Sequence, residues 1–161
     1  MSDTPTREQA IATFAAMIKG IPVVMLTTTG MGRLRSRPMV TQRTPFDGEL
    51  WFVTARAAEK TAEIRDRQAV HVTFVSPSDN RYGWASGTAA IVEDQATLRM
   101  LWHAGYLQWL PSGPDDPALA LIRVRVEEAE YWDQAASRMV RLGPFVEPGS
   151  SFRDLAPGVG I

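Results

Sequence analysis

The segment Arg33-Leu34-Arg35-Ser36-Arg37-Pro38-Met39-Val40-Thr41-Gln42-Arg43 carries four arginines and no acid. Laid out as a strand, its period-two alternation puts Arg35, Arg37, Met39, Thr41 and Arg43 on one face. Like charges at that spacing repel unless something anionic lies against them, and guanidinium forks match phosphate oxygens well. Two readings follow: an anionic ligand, or a solvated edge strand whose arginines block edge-to-edge pairing. Lys60 shifts the balance toward the ligand. It is one of two lysines in the chain and falls in the first turn of an expected helix, the end at which the dipole disfavours a cation. A lysine there makes sense if its ammonium and the free N–H groups jointly hold a phosphate, although Glu59 beside it could be a plain local neutraliser. Pro38 adds to the ligand reading, because a strand proline sits at an edge or where a ligand replaces the ladder.

Other chemistry is scarce. The chain of 161 residues has no cysteine and two histidines, His71 and His103. Disulfides, thiolate catalysis and cysteine-ligated metals are therefore excluded, neither histidine has metal-ligand spacing, and no metal site is expected. His71 reads as a partly buried strand residue, and His103 as a residue near a helix end. The pair Asp115 and Asp116, in a proline-flanked loop, reads as turn and cap chemistry. No GxGxxG, Walker or GxSxG pattern is present, so no catalytic residue is assigned. Difficult chemistry would have to be imported on a cofactor. A net charge of -1 argues against a nucleic-acid binder. The polar start MSDTPTREQ and the absence of a run near ~20 apolar residues predict a cytoplasmic protein with no membrane segment.

The elements that must position these residues are short. Thr6 and Gln9 form a capping-box pattern before a helix over 7–19, closed by Gly20. A strand near 23–29 turns at Gly30 and Gly32 into the arginine strand, expected over 34–44. Asp47-Gly48 is a hairpin signal leading into a strand over 50–54. A helix over 57–67, strands over 69–75 and 82–92, a helix capped by Asp94 and a strand over 119–132 follow. Gly83, Ala85, Gly87 and Ala89 form a small-residue face on the strand 82–92, suited to tight packing within the chain or to close approach of a planar ligand. Trp102, Trp109 and Trp132 suit either stacking on a ligand or a place in core or interface. Six strands against three modest helices predict a mainly β fold, a small antiparallel barrel with peripheral helices. One domain over residues 1–142 is expected, with 143–161, rich in Gly and Pro, as a mobile tail.

Taken in order, RSRPM (35–39), LWFVT (50–54), the helix with Lys60, YGWASGTAAIVED (82–94), LW…WLPSGPDDPAL (101–119) and AEYWD (129–133) resemble the general stress protein branch of the pyridoxamine 5′-phosphate oxidase-like flavoproteins. The resemblance spans residues 8–142. It implies a six-stranded FMN-binding split barrel that forms a homodimer with flavin at the interface. It puts Arg35, Ser36, Arg37, Pro38 and Met39 along the flavin, with Phe52, Val53 and Thr54 flanking the isoalloxazine and ribityl chain. Lys60 and Thr61 would meet the phosphate, and Trp102 and Trp109 would reach the flavin from the partner subunit. Where pyridoxamine phosphate oxidases usually carry Ser-Arg-Lys this chain has Ala58-Glu59-Lys60, so one hydroxyl and one cation are missing. Arg141-Leu142-Gly143-Pro144 echoes their Arg-Leu-Ala-Pro segment, but the segment before it follows the stress-protein branch, so vitamin B6 oxidation is not expected.

The resemblance thus implies a flavoprotein using FMN, with FAD as the alternative, acting as an oxidoreductase on a small molecule the sequence does not identify. The alternatives are a flavin-binding stress or storage protein without turnover and a relative using deazaflavin. Heme in the same barrel is the poorest fit, given the histidines.

Overall fold

The structure, a computed structural model, describes residues 4–146. Helix α1 (Arg7–Ile18) starts on the expected capping box, with the Thr6 hydroxyl accepting from the Gln9 N–H and the Gln9 side chain from the Thr6 N–H. It ends at Gly20, whose φ of 76° suits a residue without Cβ. Arg81 then donates to the carbonyls of Met17 (2.9 Å) and Lys19 (2.7 Å), which supplies the positive charge a helix C-terminus favours. The helix buries Ala10 and Phe14, and Phe14 meets Phe46, Phe74 and Phe145 through tilted and edge-on ring contacts.

Strands β1 (Val23–Gly30) and β2 (Arg33–Val40) form a hairpin whose two loop residues, Met31 and Gly32, both have positive φ, as right-handed strand twist requires of a two-residue turn. β3 (Glu49–Ala55), α2 (Glu59–Asp66), β4 (Ala69–Ser76), β5 (Arg81–Val92), α3 (Gln95–Leu101), β6 (Leu119–Asp133) and β7 (Arg138–Leu142) follow. Every strand pairing is antiparallel, and the sheet order is β2-β1-β4-β5-β6-β3, with β7 on the far part of β6. Alternate residues of these strands, among them Leu26, Val72, Phe74, Ala85 and Val124, fill one core with α1. A smaller cluster, built on Leu98, Leu101, Tyr106 and Leu121, lies beneath α3.

The mainly β class with three helices holds, and three details of the sequence reading are corrected. There are seven strands among the described residues, since β6 returns through a turn at 134–137 to make β7. The arginine strand ends at Val40 rather than at residue 44, where the chain leaves the sheet toward Pro45. Asp47-Gly48 closes no hairpin between β2 and β3. Gly48 instead accepts from the Val126 N–H at 3.1 Å, and β3 pairs residue for residue with β6 from Glu49↔Arg125 to Ala55↔Leu119. β2 and β3 are thus the two ends of the strand order, and between them the barrel is split.

The small-residue face of β5 is intrachain packing. A Cβ at Gly87 would lie 1.9 Å from the Arg125 carbonyl oxygen, and one at Gly83 2.4 Å from Phe74. Packing continues past the expected boundary at 142: Phe145 is buried in the core, and its carbonyl accepts from Arg7. Most of the segment read as a tail, residues 147–161, lies outside the described residues.

Candidate functional site

A cavity of about 210 Å³ opens in the split. Its walls are Pro38, Met39 and Val40 of β2, Val53, Thr54 and Ala55 of β3, Val23 of β1, Lys60 of α2, and Tyr106, Trp109 and Leu110 of the loop after α3. The backbone explains the placement. Two edge strands leave ladder positions without a strand partner, and Pro38 lacks the N–H that such an edge would expose. The chain leaves β3 through a tight turn, Ala58 N–H to Ala55 carbonyl at 3.1 Å, so α2 begins directly beside the cavity. Its N-cap residue, Ala58, has no side-chain group to cap that first helical turn.

Three features make the cavity chemically uneven. Lys60 is half-buried and has no carboxylate within ion-pair distance among the described residues. Burial pushes its ammonium below the usual lysine range, the Arg37 charge pushes the same way, and Glu63 partly opposes them. The Thr54 hydroxyl is buried without a hydrogen-bond partner among the described residues, an arrangement that ordinarily costs free energy. Tyr106 is 2% exposed, and burial pushes its phenol up to about 12, with Arg43 pulling slightly down. It stays neutral across the physiological range.

Six of the twelve residues singled out in the sequence line the cavity: Pro38, Met39, Val53, Thr54, Lys60 and Trp109. The other six lie elsewhere. Phe52 points into the barrel core, and Ser36 is on the outer face, its hydroxyl 2.6 Å from that of Thr27. Thr61 is buried and donates to the Ala55 carbonyl at 3.2 Å, tying α2 to β3. Trp102 packs on Tyr106 at 5.1 Å, behind the cavity wall.

Arg35 and Arg37 are on the inner face of β2 as the alternation requires, but a carboxylate of the chain lies against them. Arg37 Nη2 is 3.0 Å from Glu63 Oε2 and Arg35 Nη1 is 3.6 Å from Glu63 Oε1, with Glu59 a further 3.3 Å partner of Arg35. The Thr28 hydroxyl also donates to Glu63. This bond holds the Glu63 carboxyl below the usual range against the opposing effect of burial, and the hydrogen bond and charge of Arg37 and the charge of Arg35 add to it. Glu63 escaped the sequence reading. Its signal was available: two arginines facing into a barrel need a counter-charge, and Glu59 and Glu63 share one helix face at i,i+4.

Of the remaining candidates, His103 bridges locally, accepting from the Gly105 N–H at Nδ1 (3.1 Å) while Nε2 lies 2.9 Å from the Thr41 carbonyl. His71 is on the outer sheet face, stacked on Trp84 at 5.1 Å. Asp116 accepts from the Ala118 N–H, as a turn residue does, whereas Asp115 forms a surface ion pair with Arg99 of α3 at 2.7 Å instead of the expected turn or cap contact. Among the described residues no helix is long and apolar enough to cross a membrane.

The family described as "Pyridoxamine 5′-phosphate oxidase like" matches residues 9–147. A curated relative, Protein bli-3 of Neurospora crassa, is 27% identical over 135 residues; the match takes in 77% of this chain and 65% of the relative. Solved structures share the fold. The general stress protein 26 of Bacillus anthracis str. Sterne superposes with a TM-score of 0.67 at 26% identity, covering 84% of this chain and 98% of that one. A general stress FMN/FAD binding protein from the phytopathogen Xanthomonas citri superposes with a TM-score of 0.65 at 26% identity, covering 79% and 89%.

Proposed function

The chain belongs to the pyridoxamine 5′-phosphate oxidase-like family, and on that premise we propose that it binds a phosphorylated flavin, FMN or FAD, in the split between β2 and β3. The observation that carries this reading is that the lining of one cavity holds, among the described residues, an ammonium without a carboxylate partner and a buried hydroxyl without a hydrogen-bond partner, Lys60 and Thr54. A phosphate would neutralise the first, assisted by the uncapped start of α2. A ribityl hydroxyl or ring heteroatom would satisfy the second. Val53, Met39 and Trp109 offer apolar and aromatic surface for a flat ring.

A volume of about 210 Å³ is below the roughly 300–1,000 Å³ usual for cofactor-sized ligands, which supports a site completed by a second copy. The outer sheet face supplies a surface for it. Val23, Met25, Val75, Trp132 and Met139 are each at least 37% exposed there, and the band is continuous with the cavity through Val23 and Pro38. Apolar surface of this kind on a sheet face suits a homodimer interface.

When bound, a flavin supplies hydride and electron transfer, and the proposed activity is oxidoreduction of a small molecule. The chain's own contribution is positional. Lys60 holds the phosphate end, Thr54 fixes the middle, and Tyr106 and Leu110 exclude water from one side. A non-catalytic flavin carrier is the second reading, favoured by a specific observation: among the described residues no His, Asp or Glu lines the cavity. Titration of the purified protein with FMN, followed by flavin fluorescence, tests binding, and micromolar or tighter affinity is expected. Reduction of the bound flavin by a nicotinamide donor under anaerobic conditions then separates enzyme from carrier. No binding of either FMN or FAD contradicts the reading.

A further inference from the structure

Resting on that flavin reading, we propose that Glu63 is a built-in competitor of the ligand phosphate, which weakens phosphate binding and keeps the flavin exchangeable.

The seat of the Glu63 carboxylate is an oxyanion site in all but its occupant. Arg37 Nη2 approaches one oxygen at 3.0 Å, where the Thr28 hydroxyl also donates, and Arg35 Nη1 lies 3.6 Å from the other. The side chain is 10% exposed. Gly30 leaves the room for it, since a Cβ at that position would lie 2.6 Å from Oε1. Guanidinium pairs of this geometry recognise phosphate and carboxylate alike. Here the chain itself provides the anion.

The consequence for a ligand at Lys60 is twofold. Lys60 lies on α2 three residues before Glu63, and its ammonium responds to both Arg37 and Glu63, so all three belong to one electrostatic neighbourhood. Glu63 engages Arg37 and shares Arg35 with Glu59, which lies 3.3 Å from it, so the guanidinium of Arg37 above all is withheld from Lys60, and the charge of Glu63 repels an incoming phosphate. Both effects fall on the phosphate alone. The ring and ribityl contacts, made by Val53, Met39 and Thr54, are untouched.

The test compares FMN with riboflavin, which differ only in the phosphate, on the full-length protein and its Glu63→Gln variant. Gln keeps the size and the hydrogen-bonding oxygen while removing the charge. The expected result is FMN affinity about tenfold higher in the variant, faster flavin release from the wild type than from the variant, and riboflavin affinity unchanged within about twofold. If Glu63→Gln does not fold, Gly30→Ala decides, because its Cβ displaces the carboxylate from its seat while leaving the charge count intact; FMN should again tighten and riboflavin should not. FMN affinity unchanged or weaker in the variant that folds overturns the proposal, as does a parallel shift for FMN and riboflavin, which would mark Glu63 as a merely structural residue. If the wild type binds neither flavin, the flavin reading itself fails and the proposal falls with it.

Discussion

Arg37 and Lys60 carry the same charge within one electrostatic neighbourhood, one on the edge strand β2 and the other in the first turn of α2, yet the fold treats them differently. Arg37 is enclosed by partners: Glu63 on Nη2, with the Thr28 hydroxyl and the Arg35 carbonyl on Nη1. Lys60 faces the cavity with no carboxylate at ion-pair distance among the described residues. A cation satisfied within the chain stabilises the fold, whereas one left without a partner at a cavity wall is available to a ligand. Charge pattern alone does not separate the two roles, because the partner of Arg37 lies 26 residues away in sequence.

The largest expected effect comes from breaking the satisfied side. Arg37→Met leaves Glu63 largely buried with only the more distant Arg35, at 3.6 Å, as its cation and should cost about 3 kcal/mol in urea unfolding. Lys60→Met should move stability by no more than about 0.5 kcal/mol, and in the favourable direction, since it removes a half-buried charge lacking a partner. The same variant should lose about 1–3 kcal/mol of FMN affinity by fluorescence titration, the range for a charge-assisted contact. Equal destabilisation of the two variants would erase the distinction between them.

A pH titration sharpens the comparison. The folded-state pKa of Glu63 lies below its unfolded value, so its stabilisation is fully present above the ordinary carboxylate range and is lost as pH falls through the depressed value. Glu63→Gln should therefore flatten the acid limb of the stability curve. Lys60 has the opposite dependence: its pKa is lowered by burial, and the charged form that a phosphate needs is lost as pH rises. FMN affinity should fall on the alkaline side in the wild type and not in Lys60→Met. The smallest effect is expected at Thr54. Thr54→Val removes a buried hydroxyl that has no partner among the described residues, so stability should hold or rise slightly while FMN affinity drops by about 1 kcal/mol.

How far these regions were legible in the sequence follows from the range of the interactions involved. The capping box at Thr6 and Gln9, the Asp94 cap and the inward alternation of Arg35, Arg37 and Met39 are local patterns, and each appears in the fold. Lys60 stood out for the same reason, as a cation at the wrong end of a helix. The Asp47-Gly48 signal misled because a turn dipeptide states how the chain bends and not which strands pair afterwards. Joining β2 to β3 there would have closed the very split that holds the cavity. β7 was missed because its pairing with β6 depends on the turn at 134–137, where Ser137 takes a positive φ that its residue type does not announce. The cavity wall from Tyr106 and Leu110 also depends on tertiary contact, as the loop after α3 folds back over β3.

The central claim is that the phosphate of a flavin is held at Lys60 in the split between β2 and β3. Paired titrations of the wild type and Lys60→Met with FMN and riboflavin test it most directly. The account predicts that the wild type prefers FMN and that Lys60→Met loses this preference while binding riboflavin as before. An FMN preference that survives intact in Lys60→Met would contradict it.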